Sequence, residues 1–308
     1  MTGTASADAL RNFQTYEAPP AGFDPRTAEP RLLRHHGFPR RPDPAKEPVY
    51  TKLWRRVLGR VPKLQMIRAE LAVDPVMSAR KRPTGPDFAP SGWGGIVVPT
   101  SSLGLTQPAN TVFAEWVVPE ILPVPGDPSS SLTVGFWVGL DGNDADSYEL
   151  LQAGTAATIT GNKVSYWAWT EWFTTKYKTP AVQVSNFEIQ PGDRVSFLVC
   201  APETNHGFVS MMNYRTQFAT SVGVQAPGTD ITSVGQRAEW IVEGISADLP
   251  DFSEVTFTNI TAGTQNNQFD LTPGGQITNI TGSSSGADLT TALIASPTVA
   301  VVLWEGSS

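Results

Sequence analysis

From Trp93 to the end of the chain, apolar and polar residues alternate in short runs broken by Gly, Pro, Asn and Asp. TVFAEWVVP, LTVGFWVGL, KVSYWAWTEWF, DRVSFLVC, FVSMMNY, RAEWIVEGI, EVTFTNIT and PTVAVVLWE are rich in Val, Ile, Thr and aromatic residues. This is the period-two grammar of half-buried strands. At least eight strands with almost no helical periodicity predict an all-β antiparallel sandwich. The run from Thr261 to Gly286, rich in Gly, Ser and Asn, predicts loops with at most a weak strand.

The first 90 residues follow another pattern. PPAGFDPRTAEPRLLRHHGFPRRPDP predicts extended, irregular backbone. In PVYTKLWRRVLGRV, Leu53, Trp54, Val57 and Leu58 fall at helical spacing with basic residues between them, which predicts a short amphipathic helix packed on the main domain. A Pro-rich linker, RKRPTGPDFAPSG, leads to Gly92 and places a boundary near residue 90. The expected organisation is a basic extension over 1–90 and a β domain over 91–308.

Charge sharpens that division. Residues 1–90 carry 16 Lys and Arg against 9 Asp and Glu, a net +7; residues 91–308 carry 6 against 20, a net −14. A β domain this acidic repels nucleic acid, so the partner implied for the basic extension is internal. No run approaches the apolar length of a membrane span. The leading residues MTGTASADALRNF lack a basic region followed by an apolar one, so they predict no conventional export signal.

Histidine and cysteine are scarce. Cys200 is the sole cysteine, so an internal disulfide framework is excluded. With only His35, His36 and His206, a Ser-His or Cys-His hydrolase on the β domain would have to use His206, and Cys200 ends a strand where a small buried hydrophobe is expected. No zinc-type ligand set is visible. Asp141, Asn143, Asp144 and Asp146 in LDGNDADS depart from EF-hand spacing and predict a turn.

That leaves carboxylates and amides. In AEWIVE, alternation puts Glu239, Ile241 and Glu243 on one face and Trp240 and Val242 on the other. In SYWAWTEWF, Trp167, Trp169, Glu171 and Phe173 share a face. Strands that mix Glu with large apolar residues on one side suit a groove for an extended polymer. Read alone, these residues leave three options open: a peptidase, a jelly-roll glycosidase using Glu171 and Glu239, and a non-catalytic, lectin-like binding sandwich. A local echo, Ala114-Glu115-Trp116-Val117-Val118, makes Glu115 a decoy for Glu239. It precedes Pro119 and lacks a carboxylate matching Glu243, so it is expected to be structural.

Four segments, GWGG at 92–95, FWVGLDG at 136–142, ELLQAG at 149–154 with YWAWTEWF at 166–173, and RAEWIVEG at 237–244, occur in the order found in the glutamic peptidases, or eqolisins, which the chain resembles over most of 91–308. The resemblance implies two curved seven-stranded antiparallel sheets and an acid-acting endopeptidase that needs no metal or cofactor. It implies Glu239 as the general base and acid, and Gln152 as the oxyanion donor. It also implies Trp169, Glu171, Asp141, Glu243 and Trp93 as substrate-groove residues. The expected partner is a polypeptide substrate, with no nucleic acid and no membrane, and the basic extension is a candidate propeptide and inhibitor. Fungal members usually carry disulfides and a signal peptide, and this chain departs from them on both counts.

Overall fold

The computed structural model describes residues 9–79, 92–123, 131–142, 149–174, 176–177, 179–246, 248–272, 274–282 and 286–306. The linker expected around residue 90 and the expected turn residues Asn143, Asp144 and Asp146 lie outside these ranges. The extension forms β1 (Phe13–Thr15), α1 (Pro30–His35), α2 (Pro48–Leu58), β2 (Gln65–Met66), β3 (Leu71–Val73) and α3 (Pro75–Ala79). The β domain follows with β4 (Trp93–Pro99), β5 (Thr111–Val117), β6 (Ser131–Asp141), β7 (Leu150–Thr160), β8 (Lys163–Phe173) and β9 (Val182–Val184). It continues through β10 (Arg194–Glu203), β11 (His206–Asn213), β12 (Phe218–Gln225), β13 (Arg237–Gly244) and β14 (Glu254–Gly263). Last come β15 (Gln268–Phe269), β16 (Gln276–Thr278), β17 (Thr290–Ser296) and β18 (Val299–Trp304).

These strands make two sheets. The first runs β1-β12-β11-β10-β5-β14-β18-β17, with β15 on β14 and β2 on β12, ten strands in all. The second runs β16-β4-β13-β6-β7-β8-β9-β3, eight strands. Setting aside β1, β2 and β3 from the extension and the two-residue β15 leaves seven strands in each, the expected pair of sheets. The extension therefore adds strands to both layers.

Alternation explains the layering. The inward positions of both sheets, among them Trp116, Phe197, Val138 and Trp240, close one buried core between the layers. Each sheet also buries part of its outer face, which a two-layer sandwich would normally leave wet. On the first sheet, Phe113, Leu198, Cys200, Phe208 and Met212 pack under Leu53, Trp54, Val57 and Leu58 of α2. Proline at its first turn pre-sets the helix, and its i, i+3, i+4 stripe lies on the sheet as expected. Each large apolar side chain covered this way contributes roughly 1.5–3 kcal/mol. Burial pushes the Cys200 thiol up to about 12, so it is an inert part of that contact. No helix among the described residues is long and apolar enough to cross a membrane.

Candidate active site

Register on the second sheet aligns the expected residues in rows. Val97, Glu239, Gly139, Gln152 and Glu171 are successive partners across β4, β13, β6, β7 and β8. Directly opposed residues project to the same face, so Glu239, Gln152 and Glu171 all stand on the outer side. Two residues along the strands lies the row Gly95, Ile241, Trp137, Gly154 and Trp169. Two further along lies the row Trp93, Glu243, Gly135, Ala156 and Trp167. Six of the seven expected site residues thus share one face, in three rows.

The first row has a gap in its middle. Gly139 stands between Glu239 and Gln152, so their backbones are two strand spacings, roughly 10 Å, apart with no intervening side chain. An added side chain would be crowded: a Cβ there would lie 2.8 Å from Leu150 Cδ1 and 2.9 Å from Trp137 Cζ3, so a neighbour would have to shift. Side chains as long as Glu and Gln can therefore converge from opposite sides on one atom above Gly139.

Each group has a distinct environment. Glu239 is 0 % exposed, and neither carboxylate oxygen has a hydrogen-bond partner among the described residues. Burial raises its pKa well above the ordinary carboxylate value; Arg237 opposes the rise, while Asp141 and Glu243 add to it. Gln152, also fully buried, donates from Nε2 to Glu171 Oε2 at 3.0 Å, and Thr170 Oγ1 donates to its backbone carbonyl. At the third row, Trp137 Nε1 donates to Glu243 Oε2 at 3.1 Å, and Trp93 meets Trp137 edge-on with ring centroids 4.9 Å apart.

Asp141, the seventh expected residue, ends β6 in a left-handed conformation, φ 70°. Its carboxylate accepts from Ser233 Oγ and from the backbone amides of Val234, Gly235 and Gln236 at 2.7–3.1 Å. It thereby clamps the loop that delivers β13, and with it Glu239, rather than presenting free oxygens to the groove. Glu149 holds the same loop one residue earlier, accepting from the Thr232 amide at 3.0 Å. Burial raises its pKa to about 7.

The groove face is not empty. Strand β3 pairs with β9, and the chain then turns at Asp74. Asp74 Oδ1 accepts from the amides of Val76 and Met77 at 3.0 Å, while Oδ2 takes the indole N–H of Trp167. That turn buries Met77 completely in a cluster with Trp93, Trp137, Trp167 and Trp169. Sequence reading did not single out Trp137, Gly139, Met77 or Asp74. Period-two alternation back from Asp141 in FWVGLD marks the first two, whereas DPVMSA carries no signal of its own. An open cavity of about 650 Å³ lies instead on the first sheet, bordered by Val117, Glu120, Arg194 and Glu254, away from these rows. Among the described residues, no cluster of His, Cys, Asp and Glu is arranged to hold a metal ion.

The decoy Glu115 stands on the outer face of the other sheet, bonded to Arg60 of the extension and to Arg194, whose Nε lies 3.0 Å away. His206 starts β11, two residues before Phe208, the register partner of Cys200; the Cys–His arrangement weighed from sequence is not near the groove rows.

Comparison with known proteins agrees with this geometry. A sequence model of the Peptidase A4 family matches residues 91–303. Among solved structures, scytalido-glutamic peptidase with a transition state analog inhibitor is similar at 23 % identity and TM-score 0.56, covering 70 % of this chain and 98 % of that one. SCP-B, described as a member of the eqolisin family in complex with the tripeptide Ala-Ile-His, is similar at 22 % identity and TM-score 0.53, with the same coverage. No curated protein matches. The extension, residues 1–90, lies outside the family match. From residue 91 onward, in sequence as in the layout of its sheets, the chain belongs to the Peptidase A4 family, the eqolisins, and is a glutamic endopeptidase.

Proposed function

We propose that this chain is an acid-acting endopeptidase in which Glu239 activates water and Gln152 stabilises the oxyanion. The observation that carries this reading is the single row in which Glu239 and Gln152 flank the bare position Gly139. A scissile carbonyl seated above Gly139 is attacked by a water whose proton passes to ionised Glu239. The carbonyl oxygen gains the negative charge and accepts a hydrogen bond from the Gln152 amide. The C–N bond then breaks, the carbonyl re-forms, and Glu239 returns the proton to the departing nitrogen. Glu171 takes one N–H of Gln152, which orients the amide and leaves its second N–H to aim at the oxyanion. An amide donor does not titrate in acid, and a hydrated Glu with a pKa of roughly 4.3 is still ionised there.

The extension acts as an inhibitor of this site. Met77 and Asp74 occupy the outer face around Gly135 and Trp167, roughly 13 Å along the strands from Gly139, where they stand in the way of an extended substrate. Displacement of residues 74–79 opens that stretch of the face to an extended substrate. Acid acts on this cover through charge. It weakens the attraction between the +7 extension and the −14 domain.

Cleavage of denatured casein across pH 2–7, with acid preincubation and inhibitors of aspartic peptidases, tests the chemistry. Wild type is expected to cut in acid; Glu239→Gln abolishes cleavage, and Gln152→Ala lowers it roughly 10²–10³-fold. Met77→Asp, which drives a charge into the indole cluster, is expected to shorten the lag before cleavage. An unchanged lag would sink the inhibitor role. In a glycosidase Glu171 and Glu239 would be the reacting pair, but Glu171 is bonded to Gln152, which the peptidase chemistry uses, so the row favours the peptidase.

A further inference from the structure

Met77 places its side chain from α3 (Pro75–Ala79) in the tryptophan cluster of the second sheet's outer face, and it lies over a glycine. A Cβ built on Gly135 would stand 3.6 Å from the terminal methyl of Met77, 3.6 Å from Trp137 Cδ1 and 3.9 Å from Trp169 Cζ2. The floor beneath the methionine is therefore bare backbone, with Ala156 on one side of it in the same row, Glu243 on the other with its carboxylate accepting from Trp137 Nε1, and Trp93 and Trp167 at the row's two ends. Small residues in the floor and indoles at the sides make a narrow trough. Such a trough fits a slender, polarisable apolar chain, and thioether–aromatic contact adds to the fit.

The trough stands in a fixed relation to the catalytic row. Gly135 and Gly139 lie on the same strand, four residues apart, roughly 13 Å at the rise of an extended chain. An extended peptide running parallel to β6 repeats the same spacing, and its residues four apart face the same side. A peptide whose scissile residue sits above Gly139 thus lays the side chain of the fourth residue along over Gly135.

We propose that Gly135, walled by Trp137 and Trp169, is the floor of a substrate subsite for methionine or a similarly slender apolar side chain, four residues from the scissile bond. Met77 occupies it as the chain's own stand-in. This inference rests on the peptidase reading for its place relative to the cut, and on the Met77 packing alone for its chemistry. Gly135 is here a specificity determinant and does not touch the reacting atoms.

The test uses the full chain and a set of peptides identical except at that fourth residue, which is Met, Leu, Ala or Trp. Wild type after acid preincubation is expected to prefer Met over Ala by about tenfold or more in kcat/KM, the worth of filling an apolar pocket. Gly135→Val fills the floor, and its Met-to-Ala ratio in kcat/KM is expected to fall to near one. Gly135→Ala, whose Cβ makes only ordinary contacts, should fall between. Binding of the same peptides is read in parallel from tryptophan fluorescence on a Met77→Ala chain, with and without Gly135→Val. Cleavage with no preference at that position, or a preference that Gly135→Val leaves intact, overturns the subsite and spares the peptidase. Tighter binding of the Met peptide that is lost with Gly135→Val, without cleavage by any chain, upholds the subsite and overturns the peptidase reading.

Discussion

Glu115 and Glu239 sit in nearly the same five residues, Ala-Glu-Trp-Val-Val and Ala-Glu-Trp-Ile-Val, on interior strands of opposite sheets. In both, alternation drives the tryptophan into the sandwich and the carboxylate outward. The two indoles reach across reciprocally: Trp240 Nε1 donates to the Phe113 carbonyl, and Trp116 Nε1 donates to Thr155 Oγ1. Both carboxylates are fully buried, in each case on a face that the extension overlies. They differ in what meets them. Glu115 is gripped by Arg60 and Arg194, whose guanidinium groups flank the Tyr214 ring at 5.7 and 5.5 Å. Glu239 meets no partner that is described. A buried carboxylate held by charge-assisted bonds is structure; one left unpaired at a cost in stability is available for chemistry.

The same substitution at the two positions should therefore give opposite results. Glu239→Gln abolishes casein cleavage, whereas Glu115→Gln leaves kcat within about twofold and lowers stability by about 2 kcal/mol, since both arginines remain partly solvated. Assay and thermal melt on the same samples decide it. Equal loss of activity in both would erase the distinction.

Gly139→Ala is the next largest effect. Its methyl would collide with Leu150 and Trp137, so cleavage should fall at least about tenfold, with a melting loss of roughly 1–3 kcal/mol from overpacking. A smaller set of effects appears only in pH profiles of stability. The folded-state pKa of Glu239 is raised, so its favourable contribution is complete below the unfolded value and is lost as pH rises through the folded one. Glu239→Gln should then melt at the wild-type temperature near pH 3 and above it at pH 7. Glu149 follows the same sign with a folded value of about 7: stability should decline as pH rises from about 4.3 through 7, and Glu149→Gln should flatten that limb.

Much of this was legible in the chain. Alternation in AEWIVE and SYWAWTEWF assigned Glu239, Glu243, Trp169 and Glu171 to their faces, because a period of two leaves a strand with one buried side no other register. The helix over 48–58 followed from four apolar residues at helical spacing, and the structure seats them on the first sheet. Pairing between strands was not legible. That Gln152 and Glu239 flank Gly139 depends on β6 lying between β7 and β13, an order set by long-range packing. Met77 was invisible because a lone methionine in DPVMSA has no periodicity to betray it; its burial follows from the Asp74 turn and the pairing of β3 with β9. The role of Asp141 was hidden in the same way, since its four donors lie more than 90 residues along the chain.

The three short strands of the extension also bear on how the protein survives at high concentration. β1 and β2 line one flank of β12, against Val222–Val224 and Phe218–Ala219, and β3 lines the flank of β9 in the other sheet. Stripped of them, both sheets would expose rows of unpaired N–H and C=O groups, ready to zip onto a second molecule. A chain that loses its whole extension thus gains two sticky edges along with the bared apolar surface beneath α2, and is expected to self-associate into β-rich aggregates even where its groove is open and its catalytic row intact.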